Sequence, residues 1–291
     1  MTPIVSLILP TFNRAPLLAE AVDSALAQTF EPLEIIVVDD GSTDGTSAVL
    51  EKYGSRVRCV HQANRGLSAA RNAGLEQAQG MYITFLDDDD VLQSTKIAEQ
   101  VAILESHDEI GWTYCDVLMH NEASQETITV SERFGYRKRN LDGWLFPELI
   151  HGNFIPPMAT LIRRTVLART GGFDPRLRAM EDWDLWLRLS LLAKARYLPR
   201  VLATYRIHPG GMSQARALMD NCRSQVLDNI SRAHPDAIRR LGTAGRRIVA
   251  DMHNWYGFAA YARKDWCEAR RRLGASVRTL PWQRRALLLL A

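Results

Sequence analysis

The sequence predicts an α/β fold: an open, mostly parallel, doubly wound sheet with a helical C-terminal appendage. Two patterns carry this expectation. Short apolar, β-branched runs alternate with segments of helical periodicity through residues 4–92, and from residue 214 onward the periodicity is helical alone. A third observation is size, since 291 residues with 46% apolar content can bury a sizeable core and rule out disorder as the default.

The elements follow in order. Residues 5–9 form an apolar run closed by Pro10, and 34–38 a β-branched run closed by Asp39-Asp40-Gly41; both read as buried parallel strands. Between them Leu17, Leu18, Ala21, Val22, Ala25 and Leu26 recur at helical spacing, completing a strand–helix–strand unit. The pattern repeats with a short helix at 46–53, a strand at 57–61, a helix at 67–79 and a strand at 82–86. In that last helix Ala70, Ala73, Gly74 and Ala78 share one side. From about 107 to 150 the pattern weakens around the basic run Arg137-Lys138-Arg139, and only 111–118 reads as a strand. A strand-like stretch then runs from 153 past Pro156-Pro157 to 162, followed by a helix at 182–192 and a strand-like 202–207. Near the end Trp255, Gly257, Ala259, Tyr261, Trp266, Ala269, Leu273 and Pro281 resemble a single tetratricopeptide-like helical hairpin, which alone makes no solenoid.

Charge and cysteines narrow the functional classes. The net charge of +3 conceals an acidic first half (residues 1–150: 11 Lys+Arg, 23 Asp+Glu, net −12) and a basic second half (151–291: 25 against 10, net +15). The acidic half suits a cation, and the basic half suits phosphate groups or an anionic surface. No helix-turn-helix, zinc-finger or RNA-recognition signature supports a nucleic-acid partner. Cys59, Cys115, Cys222 and Cys267 are widely spaced and form no CxxC pair, so neither zinc nor a disulfide framework is expected. With no basic leader before the first apolar run, the expected location is the cytoplasm.

Three polar segments end predicted strands: Pro10-Thr11-Phe12-Asn13-Arg14, Asp39-Asp40-Gly41-Ser42-Thr43-Asp44 and Asp87-Asp88-Asp89-Asp90. In an open α/β sheet such ends converge on one crevice. Four successive carboxylates there repel one another unless a cation neutralises them, and Mg²⁺ or Mn²⁺ is the hard cation such oxygens hold. Asp40, Ser42, Asp44, Gly45 and Glu51 also match a calcium-loop spacing, but the preceding run is a strand and Ser47 stands where the loop needs an apolar residue. The better account is a turn in which Ser42, Thr43 or Asp44 caps the next helix and leaves Asp40 free to accept from a ligand.

These segments, with Asn64-Arg65-Gly66-Leu67-Ser68-Ala69-Ala70-Arg71-Asn72 between them, stand in the order and spacing of glycosyltransferase family 2, and the chain resembles that family. Gly171-Gly172-Phe173-Asp174-Pro175 with Glu181-Asp182-Trp183 resembles its acceptor-side motif, and Tyr205-Arg206-Ile207-His208 the end of its catalytic region. The resemblance implies a GT-A fold, with a catalytic domain at 1–213 (nucleotide-sugar half 1–105, acceptor half 106–213) and a helical region at 214–291. It implies an inverting hexosyl or N-acetylhexosaminyl transfer from a nucleoside-diphosphate sugar, UDP or dTDP favoured, to a glycan or lipid-linked glycan of the cell envelope or surface polysaccharide. Asp40 would meet the donor base in a pocket shaped by Pro10, Thr11 and Phe12. Asp87, Asp88 and Asp89 would form the DXD motif, with Asp89 the direct metal ligand, Asp88 near a sugar, and His208 a further ligand. Arg65 or Arg71 would reach the diphosphate, and Asp182, beside Glu181, would be the catalytic base, kept ionised by a helix N-terminus. Trp183 and Trp186 are expected in the core, with Asn153, Pro156 and Pro157 shaping the acceptor side.

Two other readings fare worse. A nucleotidyltransferase would carry a glycine-rich, arginine-containing loop where Pro10-Thr11-Phe12-Asn13-Arg14 stands, and a silent binding module would not need both the acidic cluster and Glu181-Asp182. The clusters Arg270-Arg271-Arg272 and Arg284-Arg285, with Trp282 and Leu287 to Leu290, further predict peripheral contact with the inner face of an anionic membrane.

Overall fold

The computed structural model describes residues 4–136 and 141–282. Its first half is β1 (Val5–Thr11), α1 (Ala15–Leu26), β2 (Leu33–Asp39), α2 (Thr46–Glu51), β3 (Arg58–His61), α3 (Leu67–Gln77) and β4 (Tyr82–Phe85). These strands run parallel in the order β3-β2-β1-β4. Every residue of β1 is buried, as expected of a central strand covered on both faces. α3 can lie close on β1 because position 74 is glycine: a Cβ there would meet Ile8 Cγ2 at 2.4 Å.

The sheet continues through β5 (Val91–Leu92), α4 (Lys96–Ser106), β6 (Ile110–Asn121), β7 (Thr127–Thr129), α5 (Val130–Phe134), α6 (Phe146–Leu149), β8 (Thr160–Arg163), α7 (Arg164–Ala168), α8 (Glu181–Ser190) and β9 (Lys194–Ile207). Its order is β4-β8-β6-β9-β5, with β7 on β6. β8 is antiparallel to both neighbours, whereas β6 and β9 are parallel. The parallel character therefore resides in β3-β2-β1-β4 and in the β6–β9 pair.

Three segments differ from expectation. Residues 107–150 are more regular than predicted: β6 spans 12 residues, and Thr129 closes a capping box with Glu132 at the start of α5. The strand expected at 153–162 contracts to β8, because Pro156 and Pro157 lack the amide hydrogens a ladder needs and open a tight helical turn instead. β9 begins at Lys194, eight residues before the predicted start; Pro199, with Arg196 and Arg200, disguises that part as loop. Residues 96–106, unassigned from the sequence, form α4, with Ile97, Val101 and Leu104 inward. Lys96 is fully buried in this helix, its Nζ donating to Thr84 Oγ1 (2.7 Å) and the Thr160 carbonyl (2.9 Å). Burial, with no carboxylate partner among the described residues, lowers its pKa to about 8.

The C-terminal helices are α9 (Arg216–Ala233), α10 (Pro235–Arg240), α11 (Gly242–Ala262) and α12 (Trp266–Thr279). α11 and α12 pack as the predicted hairpin, and a Cβ on Gly257 would meet Leu273 at 2.8 Å, so this glycine sets their approach. Trp255 and Trp266 of the hairpin pattern remain exposed. The arginine cluster at 270–272 is not the free basic face predicted for a membrane. Arg271 and Arg272 both bind Asp228 and Glu268, and Arg272 is 1% exposed. Arg137-Lys138-Arg139, Arg284-Arg285 and Leu287 to Leu290 lie outside the described residues. Among the described residues, no helix is long and apolar enough to cross a membrane.

Candidate active site

A crevice of about 860 Å³ opens at the carboxyl ends of β1, β2 and β4 and extends under α8 and α9. Pro10, Thr11, Phe12, Asp40, Arg65, Arg71, Asp87, Asp88, Asp89, Glu181 and Asp182 all line it, and His208 reaches it through Asp89. The structure thus brings together every site residue the sequence singled out.

The turns after β1 and β2 hold each other. The Asn13 amide donates to Ser42 Oγ (2.9 Å), and the Thr43 amide donates to Asn13 Oδ1 (2.7 Å). Asp44 accepts from its own helix at Thr46 N (3.0 Å) and from the first amide of α1 at Ala15 (3.1 Å), so one carboxylate caps two helices. The Thr46 hydroxyl, with these amides, holds the Asp44 pKa below its usual value.

Asp40 is not free, contrary to expectation. It is 3% exposed; Oδ1 accepts from Gln62 Nε2 (2.7 Å) and Arg65 N (2.9 Å), and Oδ2 from Gly66 N (2.8 Å). Gly66 has φ +87°, a conformation that an L side chain resists, and this bends the loop around the carboxylate. Asp40 therefore fixes the loop that carries exposed Arg65 to the crevice wall.

In the acidic turn the four carboxylates have different surroundings. Asp90 is fully buried; one oxygen accepts from Arg206 N (2.9 Å), the other has no partner among the described residues, and burial beside Asp89 and Asp87 drives its pKa well up. Burial, reinforced by Asp89 and Asp87, raises Asp88 to about 7. Asp87 gives Oδ1 to Arg71 Nη2 at 2.5 Å. Asp89 alone turns to the imidazole, with Oδ2 3.0 Å from His208 Nε2. Among the described residues no three His, Cys, Asp or Glu side chains form a closed metal cage. Asp89 fits a hard cation completed by substrate oxygens, the usual manner for Mg²⁺, and the His208 imidazole beside it offers a nitrogen to the same ion. Asp87, expected as a metal ligand, is held by Arg71 instead.

Arg71 is also reassigned. It is 1% exposed, binds Asp87 and Glu181 with separate nitrogens, and lies 5.2 Å from the Phe173 ring centre. Its charge is spent on two carboxylates from opposite halves of the fold, which leaves Arg65 as the exposed arginine of that pair at the crevice. Phe173 is fixed by Asn72, whose side-chain amide accepts from its N–H (2.9 Å) and donates to its carbonyl (2.8 Å). The sequence placed Asn72 in a motif without marking this clamp.

Asp182 sits in the first turn of α8, entered through Met180 in the left-handed region (φ 61°). Oδ1 accepts from Trp183 N (2.7 Å) and Oδ2 from Asn153 Nδ2 (2.6 Å). The expectation that a helix N-terminus keeps this carboxylate fully ionised fails. Burial and the neighbouring Glu181 charge outweigh Arg71 and those hydrogen bonds, raising Asp182 to about 7. That value suits a base working near neutral pH. Trp183 and Trp186 are buried, donating to the Leu149 carbonyl (2.8 Å) and the Ile155 carbonyl (2.9 Å), as core residues should.

The family model for glycosyl transferase family 2 matches residues 6–167, more than half of the chain. The chain belongs to this family. A glycosyltransferase of Rickettsia prowazekii (strain Madrid E) is 36% identical over 211 residues, covering 71% of this chain; the match spans 65% of that relative's length. The UDP-Glc:alpha-D-GlcNAc-diphosphoundecaprenol beta-1,3-glucosyltransferase WfaP of Escherichia coli is 31% identical over 237 residues, covering 79% of this chain and 88% of WfaP. Among solved structures, S. aureus TarS 1-349 in complex with UDP-GlcNAc superposes with TM-score 0.69 at 19% identity, covering 98% of this chain and 83% of that one. The mannosyltransferase PcManGT of Pyrobaculum calidifontis, in complex with GDP-Man and Mn²⁺, gives 0.61 at 20% identity, covering 100% and 86%. Both likenesses establish the GT-A fold for this family 2 chain.

Proposed function

We propose that this family 2 protein transfers a sugar from a nucleoside diphosphate, UDP favoured, to a hydroxyl of a glycan or lipid-linked glycan, with inversion. The carrying observation is the Asp87–Arg71–Glu181 bridge, which joins the β4 carboxylate turn to the α8 turn bearing Asp182 across one crevice. Asp182 takes the acceptor proton as the hydroxyl oxygen bonds the anomeric carbon and the bond from that carbon to the diphosphate breaks. Asn153 orients the receiving oxygen. Arg65, at the crevice wall, faces the diphosphate, and Pro10, Thr11 and Phe12 flank the base. A divalent cation on Asp89 and His208, Mn²⁺ or Mg²⁺, would offset charge on the leaving diphosphate.

Thermal unfolding with UDP, dTDP, GDP and ADP, each with and without Mn²⁺, tests the donor reading. UDP with Mn²⁺ is expected to raise Tm most, and Asp89→Asn to reduce its affinity by about tenfold or more. Equal responses to all four nucleotides, or a metal effect unchanged in the variant, would refute this donor assignment. Product NMR is expected to show the inverted anomer.

We also propose peripheral attachment on the inner face of an anionic membrane through the C-terminal region, supported by the exposure of Trp282, Trp266 and Arg270. Vesicles containing anionic lipid are expected to float the protein at low salt and release it at high salt. Protein that stays at the bottom at low salt excludes such attachment.

A further inference from the structure

Arg14 lines the crevice beside the acidic turn, yet no carboxylate holds it. Arg71 and Arg206 form ion pairs with Asp87, Glu181 and Glu20, whereas Arg14 forms none among the described residues. Its backbone is fixed at the start of α1, where its carbonyl accepts from Leu17 N (2.9 Å) and Leu18 N (3.0 Å). From there the side chain reaches across to the segment that follows β9. Nη2 donates to the Gly210 carbonyl (2.6 Å), and Nη1 lies 3.4 Å from His208 Nε2. That nitrogen is shared, because Asp89 Oδ2 lies 3.0 Å from the same Nε2. A carboxylate only accepts, so its contact requires a hydrogen on Nε2; a guanidinium only donates, so the other contact requires a bare lone pair. One imidazole nitrogen does not serve both at once.

The Arg14 charge is also felt along the acidic turn: burial raises the Asp88 pKa to about 7, and Arg14 is among the groups that oppose the rise. Asp89 and His208 would meet a hard cation on the same terms as they meet Arg14, since such an ion needs the bare Nε2 lone pair and brings positive charge to the turn. Two cations beside one carboxylate repel, so the two occupants exclude each other. We infer that Arg14 is a built-in stand-in for the divalent cation, holding His208 and the Asp89 turn in the metal-free protein and yielding the His208 nitrogen when Asp89 and His208 take the ion. Arg14 is thus a positioning residue that sets the affinity for the cation and is no ligand of it. The inference rests on the cation site proposed at Asp89.

Titration of Mn²⁺ into the full-length protein, with the free ion counted by electron paramagnetic resonance, tests this without turnover. Arg14→Gln keeps an amide donor for the Gly210 carbonyl and removes the charge; it is expected to bind Mn²⁺ about fivefold or more tighter than the parent. Arg14→Lys restores the charge without the guanidinium fork, and it is expected to bind Mn²⁺ about threefold or more weaker than Arg14→Gln. A merely structural role would not give that return. Asp89→Asn is expected to lose the tight Mn²⁺ site, alone and combined with Arg14→Gln. Arg14 is only partly buried, and unchanged circular dichroism establishes that its variants are folded. Unchanged or weaker Mn²⁺ binding in Arg14→Gln, with the site still lost in Asp89→Asn, overturns the role of Arg14 and leaves the cation site standing. Equal tightening in Arg14→Lys and Arg14→Gln overturns it as well, since charge would then not be the cause. Mn²⁺ binding that Asp89→Asn leaves unchanged removes the cation site and this inference together.

Discussion

Asp182→Asn is expected to lower turnover by about 10² or more, the scale of losing a general base, with UDP affinity within about twofold of the parent. The amide can still accept from Trp183 N, so the start of α8 is preserved, but it cannot take a proton from the acceptor hydroxyl. A pH profile sharpens the test. Because Asp182 is raised to about 7 by burial and by Glu181, its basic form is scarce at pH 6 and predominates above pH 8. Turnover by the parent should therefore climb through neutral pH and level off. Asn153 donates to the carboxylate and favours its ionised form, so Asn153→Ala should move that climb to higher pH without abolishing the plateau. A profile that stays flat from pH 6 to 8 in the parent, or turnover in Asp182→Asn close to that of the parent, would assign the base to another group.

The site was legible where its residues sit in local strand-end turns. The runs ending at Pro10, Asp39 and Leu86 declare buried strands through composition alone, and parallel strands place their carboxyl ends together. Hence the crevice and its acidic lining follow from sequence. What each carboxylate does there depends on partners far along the chain. Glu181 is 110 positions from Arg71, and Arg206 is 116 from Asp90, so no local pattern announces either contact. Asp40 shows the same limit. Its position at a strand end was readable, but its capture by three donors depends on how the 62–66 loop folds back over it. The second half of the sheet was harder to read because β8 enters antiparallel after two prolines, and β9 mixes exposed Pro199 and Arg200 with half-buried positions. Composition at 284–291 remained suggestive, whereas the arginines at 271 and 272 proved to pair with half-buried Asp228 and Glu268. A basic run in sequence does not distinguish a surface from an internal ion network.

Arg71→Met is expected to destabilise the fold by about 3–5 kcal/mol, the usual cost of removing one partner from a buried charge network. Arg71 is 1% exposed, and both partners belong to the crevice: Asp87 follows β4, and Glu181 opens α8. Burial already raises the Asp87 pKa, with Arg71 opposing that rise. Without the guanidinium, Asp87, Glu181 and Asp182 would share a poorly solvated space with no compensating cation. The two halves of the fold would then repel across the site they form. For a protein of this size the loss corresponds to a Tm lower by roughly 10 °C. Arg71→Lys should fall between the parent and Arg71→Met, since an ammonium supplies charge without the planar fork that serves two carboxylates at once. Arg71→Met/Glu181→Gln should recover part of the loss by removing one stranded charge. The double variant thus separates electrostatics from packing, because the methionine leaves the same gap against Phe173 in both proteins. If calorimetry gives Arg71→Met and the double variant the same Tm, the bridge contributes by filling space, and its role in holding the crevice carboxylates together is wrong.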